Sequence, residues 1–203
     1  MKKKIIVGIS GASGAIFGIR ILELARLAGV ETHLIISRGS RSTIQSETGF
    51  TVAEVQAKAD IVYAENDLGA APSSGSFRID GMIVAPCSIK TLSAIANSYS
   101  DNLIARSADV TLKEQRKLVL MVRETPLHVG HLKLMLEAAQ SGAIIYPPVP
   151  SFYTNPEDLS DVVDHTCRRA LEQLGVYFED THRWSGMEKP GQAASETKPR
   201  ARL

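Results

Sequence analysis

The chain has only two cysteines, Cys87 and Cys167, so at most one bridge could form and no disulfide framework holds the fold. Neither sign of charge is in excess: 23 Lys and Arg stand against 22 Asp and Glu, a formal net charge of +1. So weak a field draws the chain neither to nucleic acid nor to an anionic membrane surface. Aromatic residues make up 5% of the sequence and do not interleave with basic ones, as single-strand binders require. Apolar runs are short, and none approaches the roughly 20 residues of a bilayer span. "MKKKIIVGIS" starts like a signal peptide, but its apolar run breaks at Gly8 and Gly11 and no cleavage site follows. It reads as a first strand, and the protein is expected to be cytoplasmic. What is present, 44% hydrophobic and 22% charged residues over 203 positions, suits one domain with a sizeable core.

Short apolar runs alternate with longer helical stretches. Strands are expected at 4–10, 31–37, 60–64, 81–86, 117–123 and 143–148, the last stopped by prolines. Helices are expected at 14–29, 40–49, 88–100, 102–116, 129–142 and 155–175, the last opening with Asn155 as N-cap and Pro156 at the first helical position. This alternation means βαβ units: a Rossmann-like (flavodoxin-like) α/β fold, a doubly wound parallel sheet in a single domain over residues 1–186. Ligands in such sheets bind at the carboxyl ends of strands, which marks Ser10–Gly14, Ser37, Pro86–Thr91 and Arg123–Glu124. The segment 187–203, without apolar periodicity, is expected to be a disordered tail.

The run "GISGASGA" (8–15) lies between the first strand and the first helix. Its glycines fit either a tight βα turn or a loop whose backbone N–H groups approach an anion at a helix N-terminus. No lysine follows them, which excludes a P-loop. A dinucleotide site wants an acid at the end of the second strand, where this chain has Ser37 and Arg38. No tyrosine has a lysine four residues on, so a short-chain dehydrogenase is excluded as well. A mononucleotide such as FMN remains compatible, with Ser10, Ser13 and Ser37 as hydroxyl donors. "HVGH" places His128 and His131 one helical turn apart, but with no third ligand the structural reading is preferred to a metal pair. Cys87 reads as a buried small apolar residue.

Five stretches taken together are similar to one family: "GISGASGA" (8–15), "SSGSF" (73–77), "APCSIKTLSAIA" (85–96), "RSADVTLKEQRKLVLMVRETPLHVGHL" (106–132) and "PPVPSFY" (147–153). They resemble the UbiX-type flavin prenyltransferases. The resemblance implies transfer of a dimethylallyl group from dimethylallyl monophosphate to N5 and C6 of reduced FMN, with release of phosphate and no metal. The prenylated FMN would serve a UbiD-type decarboxylase. The resemblance also implies a homo-oligomer, expected as a dodecamer, with active sites between subunits. FMN would lie against Gly11, Ala12, Ser13, Ser37, Ser88, Ile89, Lys90, Thr91 and Arg123. Dimethylallyl phosphate would lie against Arg106, Lys113, Tyr153 and Arg169, the last next to Arg168. Ser13, Glu47, Lys113 and Glu124 would act in catalysis, Glu47 as a carboxylate near the reacting ring. The chemistry is coherent: a prenyl monophosphate needs charge stabilisation on its departing phosphate, and without a metal cationic side chains must supply it. Relatives that carry tryptophan after an Asn-Asp pair differ here, where Leu68 follows Asn66 and Asp67. Two other classes remain open, a flavin-dependent decarboxylase acting directly on an aromatic acid and a flavin carrier. The carrier would need the glycine loop but not the phosphate-binding cations.

Overall fold

The computed structural model describes residues 2–186, so the expected tail at 187–203 lies outside the described residues. Six strands, β1 (Lys4–Ile9), β2 (Glu31–Ile36), β3 (Ile61–Tyr63), β4 (Gly81–Cys87), β5 (Lys117–Val122) and β6 (Ala143–Ile145), form one parallel sheet in the order β3-β2-β1-β4-β5-β6. Helices α1 (Ala15–Leu27), α2 (Arg38–Glu47), α3 (Val52–Gln56), α4 (Ile89–Ala96), α5 (Leu103–Lys113), α6 (Val129–Gln140) and α7 (Leu159–Gln173) connect and cover it. The expected doubly wound α/β fold is what the chain adopts.

Side-chain alternation along the strands divides the core in two. Ile5, Val7 and Ile9 of β1 face Ile19 and Leu22 of α1 and Cys167 and Leu171 of α7. Ile6, with Met82 and Val84 of β4, faces Leu92 of α4, Ile104 of α5 and Ala138 of α6. Because both faces are covered, the strands read as continuous apolar runs, and that made them legible in sequence. Each fully buried Ile or Leu contributes about 1.5–3 kcal/mol relative to exposure.

Sequence expectation and structure part company at the ends of elements. Asn155 does not cap the last helix: it adopts a left-handed conformation (φ 48°) and closes a 3₁₀ turn at Phe152–Thr154. The cap is Asp158, whose carboxylate accepts the Asp161 N–H at 3.0 Å, so Pro156 precedes the helix. The second helix begins at Arg38 rather than Ser40, capped by the Ser37 hydroxyl, and ends before Thr48 and Gly49. The last strand stops at Ile145, before Pro147 and Pro148. The short helix α3 was not expected; a capping box between Thr51 and Glu54 secures it.

His33 on β2 shows that an apolar strand can hold a titratable group. Its ring is 1% exposed, lies 3.0 Å from the Tyr63 hydroxyl and 3.1 Å from Glu31, and meets Phe77 edge-on. Burial holds its pKa below the usual histidine value, against the pull of Glu31. The unfolded chain therefore binds the proton more readily. The stabilisation is complete above pH 6.5 and is lost as pH falls through the folded pKa. Urea midpoints measured at pH 7.5 and 5.5 should fall on acidification. Glu31 and Asp60, whose pKa values are lowered, contribute losses only further into acid. His33→Gln should reduce the slope between those two pH values, leaving the share of His165, whose pKa burial also lowers; an unchanged slope would sink the assignment.

Candidate active site

The strand order reverses direction between β1 and β4, and the crevice outside their carboxyl ends is where ligands bind in such sheets. Ser10, fully buried, ties the two loops there. Its N–H and its hydroxyl both donate to the Pro86 carbonyl, at 3.2 and 2.8 Å, and the Ser88 N–H donates to its Oγ at 2.8 Å. Behind it, the Ser40 hydroxyl donates to the Ile9 carbonyl at 2.7 Å, and the Ser37 Oγ accepts the Ser40 N–H at 3.1 Å. Three helix N-termini thus converge: α1 after the glycine loop, α2 capped by Ser37, and α4 capped by Ser88, whose Oγ accepts the Thr91 N–H at 3.3 Å. Such a convergence favours an anion.

The glycines allow the loops to close on one another. A Cβ on Gly11 would lie 3.2 Å from the Gly39 backbone. Gly14, at φ 98°, occupies the N-cap of α1 and offers no side-chain cap. Its N–H instead donates to Glu47 Oε2 at 2.7 Å, a contact spanning 33 residues that holds the carboxylate beside the loop. Ser13 is exposed, Ala12 half-buried, and Lys90 exposed next to half-buried Ser88 and Ile89 and buried Thr91. The Arg123 N–H donates to the Cys87 carbonyl at 3.0 Å, which brings exposed Arg123 and Glu124 to the same end of the sheet. Glycines, hydroxyls and helix N-termini gathered at this end of the sheet fit a phosphate carrying a polar chain.

The other sequence-predicted residues sit elsewhere on the chain. α5 starts near the carboxyl ends, where the Leu103 N–H donates to the Glu65 carbonyl at 2.7 Å, and runs back along the sheet. Lys113, ten residues on, therefore lies about 15 Å further down that helix. Arg106 Nε donates to the Ser73 carbonyl at 3.2 Å and its Nη1 pairs with Asp109 at 2.9 Å, while Lys113 pairs with Glu114. Arg116 donates to the carbonyls of Gly75 and Phe77, so the stretch from Ser73 to Phe77 runs along the face of α5 that carries both cations. Tyr153 and Arg169 form a third group. The Tyr153 ring packs against His165, His182 and Trp184, with centroids 5.9, 5.9 and 5.8 Å away. Burial lowers the pKa of His165, helped by the nearby positive charge of Arg169, and burial raises that of Tyr146, which Arg169 opposes. Arg168 points to other duties: it pairs with Asp164 and Asp180, both at 2.6 Å, and lies over the Phe178 ring.

A Flavoprotein family model matches residues 1–170. A flavin prenyltransferase UbiX from Escherichia coli (strain K12) is 54% identical over 187 residues, covering 91% of this chain and 99% of its own. The chain belongs to the UbiX family of flavin prenyltransferases. The UbiX flavin prenyltransferase of Thauera aromatica is 52% identical over 186 residues, with 92% of this chain and 96% of its own covered. The crystal structure of AnUbiX (PadA1) in complex with FMN and dimethylallyl pyrophosphate matches with a TM-score of 0.91 and 47% identity over 93% of this chain and 100% of its own. A dodecameric FMN-dependent UbiX-like decarboxylase from Escherichia coli O157:H7 matches with a TM-score of 0.87, also at 47% identity, over 90% and 100%.

Several residues of this UbiX-family chain carry the geometry without having been singled out by their sequence. Gly18 lets α1 lie on β4. Glu172, Arg183, Trp184, His165 and His182 surround the Tyr153 and Arg169 group. Their only local signal was the helical spacing of 165, 169 and 172, which places three polar residues on one face of α7. The histidine pair resolves as structure: His128 caps α6, its Nδ1 accepting the Gly130 N–H at 3.0 Å, and its ring lies 3.7 Å from that of His131. Among the described residues no three His, Cys, Asp or Glu side chains gather as a metal site. Both cysteines are buried, and burial pushes their thiols far above the usual range. None of the described helices is long and apolar enough to cross a membrane.

Proposed function

We propose that this chain joins a dimethylallyl group, from dimethylallyl monophosphate, to N5 and C6 of reduced FMN. The carbon–oxygen bond of the donor breaks and phosphate leaves as N5 exchanges its proton for the allylic carbon. The donor's double bond then takes up a proton as its other end bonds to C6, which gives up its own. The observation that carries this reading is the glycine-lined strand-end cleft with Glu47 fixed at Gly14, in a chain that follows flavin prenyltransferases over nine-tenths of its length. Gly11, Ala12, Ser13 and Ser37 hold the phosphate and chain of FMN. Ser88, Ile89, Lys90, Thr91 and Arg123 line the ring. Glu47, with Oε2 committed to the loop, offers Oε1 to the proton that leaves on ring closure. Arg106, Lys113, Tyr153 and Arg169 bind the prenyl phosphate and, with Glu124 beside it, stabilise the charge that develops on departure. Ser13 orients the donor toward the flavin.

Lys113 and Arg169 each lie about ten residues along a helix that runs away from the strand ends, so they serve the cleft of a neighbouring copy. The face of α6 supports assembly: Val129, Leu132 and Leu136 lie along one side of the helix at 66%, 51% and 55% exposure. The Leu132→Glu/Leu136→Glu double variant should lose mass in light scattering and lose prenyl transfer with it. Full-size particles from this variant would place the contact elsewhere. A dodecamer in the cytoplasm, delivering prenylated FMN to a UbiD-type decarboxylase, completes the reading.

The deciding experiment is anaerobic: purified protein, reduced FMN and dimethylallyl monophosphate, with EDTA present, and the mass of the extracted flavin. A gain of one prenyl unit with release of phosphate is expected. Unmodified flavin with the monophosphate and with the diphosphate would favour a carrier. Release of carbon dioxide from an aromatic acid by the chain alone would favour a decarboxylase.

A further inference from the structure

Glu172 is a carboxylate that the proposed chemistry does not use. Its side chain is 4% exposed, yet it accepts hydrogen bonds from two guanidiniums. Arg169 Nη1 reaches Oε2; Arg183 reaches Oε1 through Nη2 at 2.5 Å and Oε2 through Nη1 at 3.3 Å. A buried ion pair is weak evidence for stability, because well-packed apolar side chains often serve as well. What the triad does supply is position. Arg169 is a long side chain, 38% exposed, that samples many rotamers when free. With Nη1 held by Glu172, its Nε and Nη2 have no other partner among the described residues. Arg183 belongs to the segment that follows α7, and its neighbours His182 and Trp184 are the residues packed on Tyr153. One carboxylate therefore holds both the cation and, through Arg183, the aromatic wall beside it.

We propose that Glu172 is a positioning residue for the prenyl-phosphate end of the site, fixing Arg169 directly and seating Trp184 against Tyr153 through Arg183. This rests on the reading of Arg169 and Tyr153 as phosphate ligands. The test uses the full chain and its single tryptophan, so that emission excited beyond the tyrosine absorption reports on Trp184 alone. Glu172→Gln should raise KM for dimethylallyl monophosphate about tenfold, the scale of one charge-assisted hydrogen bond. FMN affinity should stay within about twofold, and acrylamide should quench Trp184 more strongly. Glu172→Asp should recover part of the KM. If Glu172→Gln fails to fold, Arg183→Ala replaces it: Arg183 is half exposed, and Arg169 stays paired, so quenching and KM should both still rise. A KM within twofold of wild type in a folded variant, or a lowered KM, overturns the positioning role. A wild-type chain that transfers no prenyl group overturns instead the reading of the site on which it rests.

Discussion

Arg169→Ala is expected to abolish prenyl transfer and leave FMN binding within about twofold of wild type. The two halves of this result come from different parts of the molecule. FMN is assigned to loops at the ends of β1, β2 and β4, which Ser10, Ser37, Ser40 and Ser88 tie together without any contribution from α7. Arg169 sits ten residues into α7, beside Tyr146 and His165. Its charge would meet the departing phosphate, where the loss of one preorganised donor typically costs about 3–4 kcal/mol, or a factor of roughly 10² to 10³ in rate. The adjacent Arg168→Ala is the informative contrast. Arg168 is committed to Asp164 and Asp180 and covers Phe178, so its loss should lower thermal stability more than turnover. Turnover is read from prenylated flavin by mass, and FMN affinity from the quenching of flavin fluorescence. Full activity in Arg169→Ala would remove Arg169 from the phosphate site. Loss of FMN binding instead would mean that α7, which packs on α1, also holds the glycine loop in place.

The sheet and the flavin cleft were legible because their signals are local. Buried parallel strands are continuous apolar runs, and the glycine loop begins, and Ser37 and Ser88 stand, within two residues of a strand end. Short, polar-bounded pieces were less legible. Asn155 and Pro156 make a plausible helix start, but the chain first turns through a left-handed Asn155 and the helix waits for Asp158. The contact from Glu47 to Gly14 joins residues 33 apart and had no sequence signal beyond the family resemblance. The group around Tyr153 had little more than the resemblance for Tyr153 and Arg169 and the helical spacing of 165, 169 and 172, since it is drawn from a loop, from one face of α7 and from the segment beyond it. Contacts of that kind follow from tertiary packing, and no window of sequence contains them. For the same reason sequence did not show that Lys113 stands at the end of α5 away from the strand ends where Arg123 lies.

Gly18→Ala should unfold at a distinctly lower temperature and bind FMN more weakly. A Cβ at position 18 would lie 2.3 Å from the Ala85 carbonyl oxygen and 2.8 and 2.9 Å from side-chain carbons of Ile9. Ile9 can turn aside in part, but the carbonyl is backbone of the central strand β4, so α1 itself must move. Two effects oppose each other. Alanine in a helix interior is favoured over glycine by about 1 kcal/mol. Overpacking a filled core costs about 1–3 kcal/mol and more where backbone must shift, and a clash this close belongs at the upper end. The clash wins by about 2 kcal/mol, which for a chain of this length lowers Tm by about 4–8 °C. The functional consequence follows from where α1 begins. Ala15 is three residues before Gly18, and the loop from Gly11 to Gly14 is rigidly joined to it. A helix pushed off the sheet carries that loop away from Ser37 and Ser88, and displacements of this order cost large factors at a preorganised site. FMN affinity should fall at least about tenfold. Gly49→Ala is the control, since a Cβ there meets nothing within 4 Å and its φ is not in the left-handed region. That variant should match wild type in both measurements or gain slightly in stability through the unfolded chain. If Gly18→Ala also matched wild type in Tm and in FMN affinity, the close packing of α1 on β4 could not be what aims the glycine loop.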